Sequence, residues 1–155
     1  MEIRKKRLIS YFEKRKVRRV GLDTMCFIYH FEKNYKYLPI TEILFRQIER
    51  GRWAGVTSVL TLLEVLTGTR KVGNQEMAEK YRFIFRAFPN LTMVMVDEAV
   101  ADHASVIRAE YGIRTPDSIQ LATAFLHHAD IFITNDETLK RVSDVEVITL
   151  DELSI

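Results

Sequence analysis

Short apolar runs alternate with longer helical patterns along nearly the whole chain, and that alternation limits the possible folds more than any other feature. Residues 18–23, 52–57, 91–96, 131–134 and 145–150 read as buried strands. Between them, residues 24–31, 40–50, 58–67, 75–88, 98–111, 115–128 and 137–142 read as helices. Gly51, Gly68, Pro89 and Gly112 stand where helices are expected to stop, and Thr115-Pro116 reads as an N-cap followed by a first helical residue. The helix from Pro116 is apolar nearly all round, so it should be well buried. Strand–helix alternation of this kind predicts an α/β fold: a five-stranded, mainly parallel sheet with helices on both faces.

A chain of 155 residues is the size of one domain and can bury a core without crosslinks. Its lone cysteine, Cys26, excludes an internal disulfide or a zinc site built on thiolates, and a cytoplasmic, reducing location is expected. No apolar run approaches a bilayer span, so neither an integral membrane association nor a secretory signal is expected. The net charge of +2 is a cancellation. Residues 1–20 carry nine basic and two acidic side chains, while the rest carries fourteen basic and nineteen acidic ones. Residues 1–17 therefore read as a basic, helical extension and 18–155 as the body. Arg4, Lys5, Lys6, Arg7, Lys14, Arg15 and Lys16 form either a solvated helix face or a contact to phosphate.

In open parallel sheets, ligands bind beyond the carboxyl ends of the strands, where the strand order reverses. At those ends the sequence places Asp23, Thr57-Ser58, Asp97 and Asn135-Asp136. Each has a plain alternative as a helix cap, and Asp117, in a first helical turn, as a partner of the helix dipole. Glu64 is different. It sits mid-helix in an apolar stretch, on one stripe with Thr57, Thr61 and Gly68, and an unpaired carboxylate there is costly to ionise. If Glu64 shares a crevice with Asp23, Asp117 and Asp136, the cluster calls for divalent cations. An all-oxygen donor set favours Mg²⁺ or Mn²⁺, whose usual chemistry is attack on a phosphoryl group.

These residues lie in runs that together resemble the PIN-domain ribonucleases, most of all the VapC-like toxins of toxin–antitoxin pairs. The runs are VGLDTMCFIYHF (20–31), TSVLTLLEVLTG (57–68) and RTPDSIQLATAFLHHADIFITND (114–136), and the likeness covers roughly residues 18–150. The resemblance implies an endoribonuclease that hydrolyses single-stranded or structured RNA with Mg²⁺ or Mn²⁺. Asp23 and Asp117 would be the main metal ligands, Glu64 and Asp136 would complete the pocket, and one carboxylate would help deprotonate the attacking water. Thr24, Thr134 and Asn135 match orienting positions. A cognate antitoxin and a homodimer are the implied partners. The chain departs from the family at Met25, where Asn or Ser is usual, and in the seventeen or so residues ahead of the first strand.

Other strand-terminal aspartates fit less well. Haloacid-dehalogenase-like phosphatases need a second Asp where Met25 stands, and receiver domains need an acidic pair where the chain has Arg18 and Arg19. No Gly-rich phosphate loop is present. Two alternatives stay open: a stand-alone RNA-processing nuclease, and a scaffold that binds RNA or protein without cutting. The scaffold is disfavoured because all four acids are kept. His30, His103, His127, His128 and Cys26 are read as structural.

Overall fold

The computed structural model describes residues 1–154. Its elements follow in the order α1 (Glu2–Lys14), β1 (Arg19–Leu22), α2 (Thr24–Phe31), α3 (Leu38–Glu49), β2 (Ala54–Ser58), α4 (Val59–Lys71) and α5 (Gln75–Ala87). There follow β3 (Leu91–Val94), α6 (Glu98–Tyr111), α7 (Thr115–Leu126), β4 (Ile131–Thr134), a 3-10 turn (Glu137–Arg141), β5 (Glu146–Thr149) and α8 (Leu150–Leu153). The five strands are parallel throughout and run in the order β3-β2-β1-β4-β5. The order reverses at β1, so the switch-point crevice opens between the carboxyl ends of β1 and β4.

Strand alternation sorts the core into two layers. Val20, Leu22, Ile131, Ile133 and Ile148 face a cluster that includes Leu8 and Phe12 of α1, Phe27 of α2 and Leu44 and Ile48 of α3. Phe132 and Val147 point the other way, into Val100, Ala104 and Ile107 of α6 and Leu121 and Ala124 of α7. Gly21, the third residue of β1 and on that same side of the pleat, lets α7 sit against the sheet. A Cβ there would stand 2.9 Å from the Ala124 Cβ and 3.1 Å from the Phe132 ring. Gly21→Ala is therefore expected to cost about 1–3 kcal/mol through overpacking, readable as a lower urea midpoint with unchanged slope.

The amino end of β1 is fastened to the turn before β4. One carboxylate oxygen of Asp130 accepts the backbone N–H groups of Arg18 (2.8 Å) and Arg19 (2.9 Å), and Arg19 Nη1 donates to the His127 carbonyl at 2.7 Å.

Several local expectations are corrected. α4 runs through Gly68 to Lys71, because one mid-helix glycine costs only about 1 kcal/mol and Thr69 beyond it is buried. Thr115 is not the N-cap of α7: Arg114 holds that position without a side-chain bond, and Pro116 is the second helical residue. Beyond β5 the chain turns straight into α8, where Thr149 and Glu152 form a reciprocal capping box. His30 and His103, isolated along the sequence, are not so in the fold: His103 Nε2 lies 2.8 Å from Asp144, and His30 Nδ1 3.1 Å from the Thr41 hydroxyl.

Within the basic N-terminal segment, α1 is built into the core. Leu8 and Phe12, one turn apart, are buried, and the Phe12 ring lies 4.4 Å from that of Trp53. Arg15 pairs with Glu146 (3.1 Å) and Arg52 with Glu13 (3.4 Å). Trp53, Arg52 and Glu146 all stand at the amino ends of strands, so the carboxyl-terminal part of α1 is anchored there, while Arg7, Leu8 and Tyr11 lie against Glu152 and Leu153 of α8.

Candidate metal centre

Asp23 extends β1 by one residue, its N–H donating to the Ile133 carbonyl of β4 at 3.0 Å. Its carboxylate has two jobs already. Oδ1 accepts the Thr24 N–H (2.8 Å) and caps α2, while Oδ2 accepts the Thr134 hydroxyl (2.7 Å) from the end of β4. The same Thr134 oxygen accepts the Asp136 N–H at 3.2 Å. Asp23 is only 9% exposed. Burial raises its pKa to about 6, against the pull of the Thr134 and Thr24 hydrogen bonds, and the charges of Asp117 and Glu64 push it the same way.

Glu64 sits half-buried in the middle of α4. Burial also raises its pKa; the Thr24 hydroxyl beside it pulls down, Asp117 pushes up and Arg114 pulls down. Asp117, near the start of α7 and 15% exposed, accepts from the Arg114 guanidinium at 3.1 Å. Three acids from three elements thus act on one another: Asp23 after β1, Glu64 on α4 and Asp117 on α7.

Of the four carboxylates expected to converge, Asp23, Glu64 and Asp117 act on one another through their charges. Asp136 has partners of its own. Its Oδ1 accepts both the N–H (2.9 Å) and the hydroxyl (2.6 Å) of Thr138, capping the 3-10 turn. The Thr138 hydroxyl lowers its pKa, and the charges acting on it are those of Arg114 and Arg141. The capping alternative holds for Asp136 and for Asp23. Thr24 and Thr134 touch the acids, whereas Asn135 donates to the Tyr29 hydroxyl at 3.0 Å and steadies α2 instead. Of the basic residues of α1, Arg15 pairs with Glu146 and Lys5 with Glu2.

Among the described residues, no set of three or more His, Cys, Asp or Glu side chains is already gathered at ligand distance. The donor chemistry nonetheless fits a hard divalent ion. All the donors are oxygens, one buried carboxylate is penalised for its charge, and two more acids increase that penalty. An ion would relieve it. In its absence the counter-charge is Arg114, an exposed side chain that nothing in the sequence singles out beyond its place three residues before Asp117.

Behind the acids lies a polar web buried in the protein. Thr24, Thr57, Thr61 and Gln120 are each at most 2% exposed. Of these, Gln120 escaped notice in the sequence, because one polar residue in an apolar helix has no distinguishing signal. Its spacing of one turn from Asp117 was the only pointer.

A family model described as "PIN domain" matches residues 20–145. No curated protein sequence matches the chain. Among solved structures, a toxin–antitoxin complex from Klebsiella pneumoniae is similar at 22% identity and a TM-score of 0.64, over 85% of this chain and 97% of that one. A DNA-bound VapBC from Salmonella typhimurium is similar at 19% identity and a TM-score of 0.66, over 86% and 98%. VapBC2 from Rickettsia felis, bound to a promoter DNA fragment, is similar at 18% and 0.65, over 84% and 98%. At these identities the structures speak for the shared fold.

Proposed function

The chain belongs to the PIN domain family, and on that footing we propose that it is a metal-dependent endoribonuclease and the toxin of a toxin–antitoxin pair. The observation that carries the nuclease reading is the buried Asp23 carboxylate at the switch point, pushed up to about 6 and faced by Glu64 and Asp117. A protein keeps so unfavourable a group where a cation offsets it.

Asp23 and Asp117 would hold the ion, with Glu64 completing the set. Bound Mg²⁺ or Mn²⁺ supplies a more acidic water and neutralises charge on the phosphoryl oxygens. The rest falls to the chain itself. Thr134 and Thr24 fix the two Asp23 oxygens. Glu64, whose pKa is raised, is a better acceptor for the proton of the attacking water than Asp136, whose pKa is lowered. Arg114, exposed beside Asp117, is placed to meet a phosphate once the ion takes over its counter-charge role. The choice of RNA as substrate follows the family resemblance.

The partner reading draws on the neighbouring folds, which come from toxin–antitoxin complexes. It also draws on an apolar groove between α2, α3 and α5, lined by Phe31, Phe45, Tyr81 and Phe88 with Lys33 and Lys80 beside them. That mixture suits an antitoxin segment with apolar and acidic side chains.

The test compares wild type with Asp117→Asn on one labelled sequence made as single-stranded RNA and as DNA, with Mn²⁺ and with EDTA. Cleavage of RNA by wild type in Mn²⁺ alone is expected. Equal cleavage in EDTA, or by Asp117→Asn, would remove this site from the reaction, and no cleavage of any RNA would favour the binding scaffold. Growth arrest on expression, relieved by a small co-purifying protein, would separate a toxin from a stand-alone nuclease.

A further inference from the structure

The four buried polar residues behind the acids form one hydrogen-bonded unit, and its members are spaced to match the acids. Thr24 follows Asp23 directly, Thr61 lies one helical turn before Glu64, and Gln120 lies one turn after Asp117. Thr57, at the end of β2, ties the unit to the sheet.

Donor counting gives the web a direction. The Thr57 hydroxyl donates to the Leu22 carbonyl at 2.8 Å, and a carbonyl can only accept. The Thr57 proton is then used, so in the 2.8 Å contact between Thr57 and Thr61 the donor is Thr61. With its own proton spent, Thr61 accepts from Gln120 Nε2 at 2.8 Å. The same amide nitrogen reaches the Thr24 hydroxyl at 3.2 Å. Thr24 therefore receives from Gln120 and has its single proton free for Thr61, 3.2 Å away. The amide of Gln120 is thus the common donor to Thr61 and Thr24, and the web joins three acid-bearing elements through buried side chains.

We propose that Gln120, Thr61 and Thr24 are positioning residues that set the spacing and orientation of Asp23, Glu64 and Asp117 for a divalent ion, with Gln120 fixing the direction of the hydrogen bonds. This rests on the metal-centre reading above. Side chains that orient metal-binding groups from behind typically change affinity by about 10- to 100-fold when lost.

The test is Mn²⁺ binding to each full-length protein, read from the EPR signal of free Mn²⁺, with melting temperature measured in parallel. Gln120→Met and Thr61→Val keep volume but lose the polar atoms, and each is expected to weaken Mn²⁺ binding about 10-fold. Thr61→Ser keeps the hydroxyl and should bind within about twofold of wild type. Phe12→Leu, far from the acids, should lower the melting temperature and leave Mn²⁺ affinity alone. Wild-type affinity in both Gln120→Met and Thr61→Val would overturn the proposal, as would equal weakening in Thr61→Ser and Thr61→Val, which would make the role one of packing. A wild type that binds no Mn²⁺, or an Asp23→Asn variant that binds as wild type does, would instead fail the metal centre and bring this proposal down with it.

Discussion

Asp23→Asn is expected to abolish cleavage, by about a thousandfold or more, and at the same time to make the metal-free protein harder to melt. The two effects share one cause. The Asp23 pKa is 3.8 ordinarily and about 6 in the fold, so the folded protein holds a proton that the unfolded chain has given up between those values. Stability falls with rising pH wherever the folded state binds more protons. The penalty therefore sets in as pH rises through about 4, is complete above about 6, and amounts to roughly 2–3 kcal/mol. Asn keeps the cap on Thr24, can donate to the Thr134 oxygen, and carries no charge at any pH. In EDTA, the melting temperature of the variant should exceed that of wild type by roughly 5–10 °C at pH 7.5, and the gap should close toward pH 4. Added Mn²⁺ should raise the wild type and leave the variant unmoved. A variant that melts no higher than wild type in EDTA at pH 7.5 would show that Asp23 carries no such penalty.

Phe12→Ala is expected to cost about 3–5 kcal/mol, lowering the melting temperature by roughly 10 °C or more. Phe12 is fully buried against Trp53, and no mobile arm would react this way. Removing the first sixteen residues would therefore confuse loss of charge with loss of core. A cleaner probe is the triple change of the exposed Arg4, Lys6 and Arg7 to Gln, which should leave the melting temperature within about 2 °C of wild type. If α1 touches the substrate, the triple variant should also flatten the dependence of log K for RNA on log salt by up to about three units. An unchanged slope returns α1 to a solvated basic face.

Legibility in the sequence followed the range of the interaction. β4 and α2 could be read to the residue, because an apolar run closed by Thr134 or opened by Asp23 is a local signal. α4 was cut short at Gly68 because what carries it onward, the burial of Thr69, is tertiary. The acids were legible as types and spacings. Their division was not: Asp136 is drawn to Thr138, two residues on, and Arg114 enters as a counter-charge only once α7 is docked. Gln120 was invisible for the same reason, since its partners lie 59 and 96 residues away. The two halves of the charge balance were legible too, but the packing of Phe12 on Trp53 that ties one half to the other was not.

The sheet order has a consequence for how the chain is made. β1 is the first strand to be synthesised and ends up in the middle, with its second neighbour, β4, supplied far later. Thr134 follows Asp23 by 111 residues. A ribosome that has released only β1, β2 and β3 holds a half-sheet with one side of β1 unpaired, no Asp117 and no hydroxyl for Asp23. Such a fragment lacks the metal centre proposed above. Pairings over this distance are also slow to close, which widens the interval between the first acid and the finished centre. For the ribonuclease proposed above, whose own messenger would lie beside it as it emerges, that interval is a built-in delay, set by strand order.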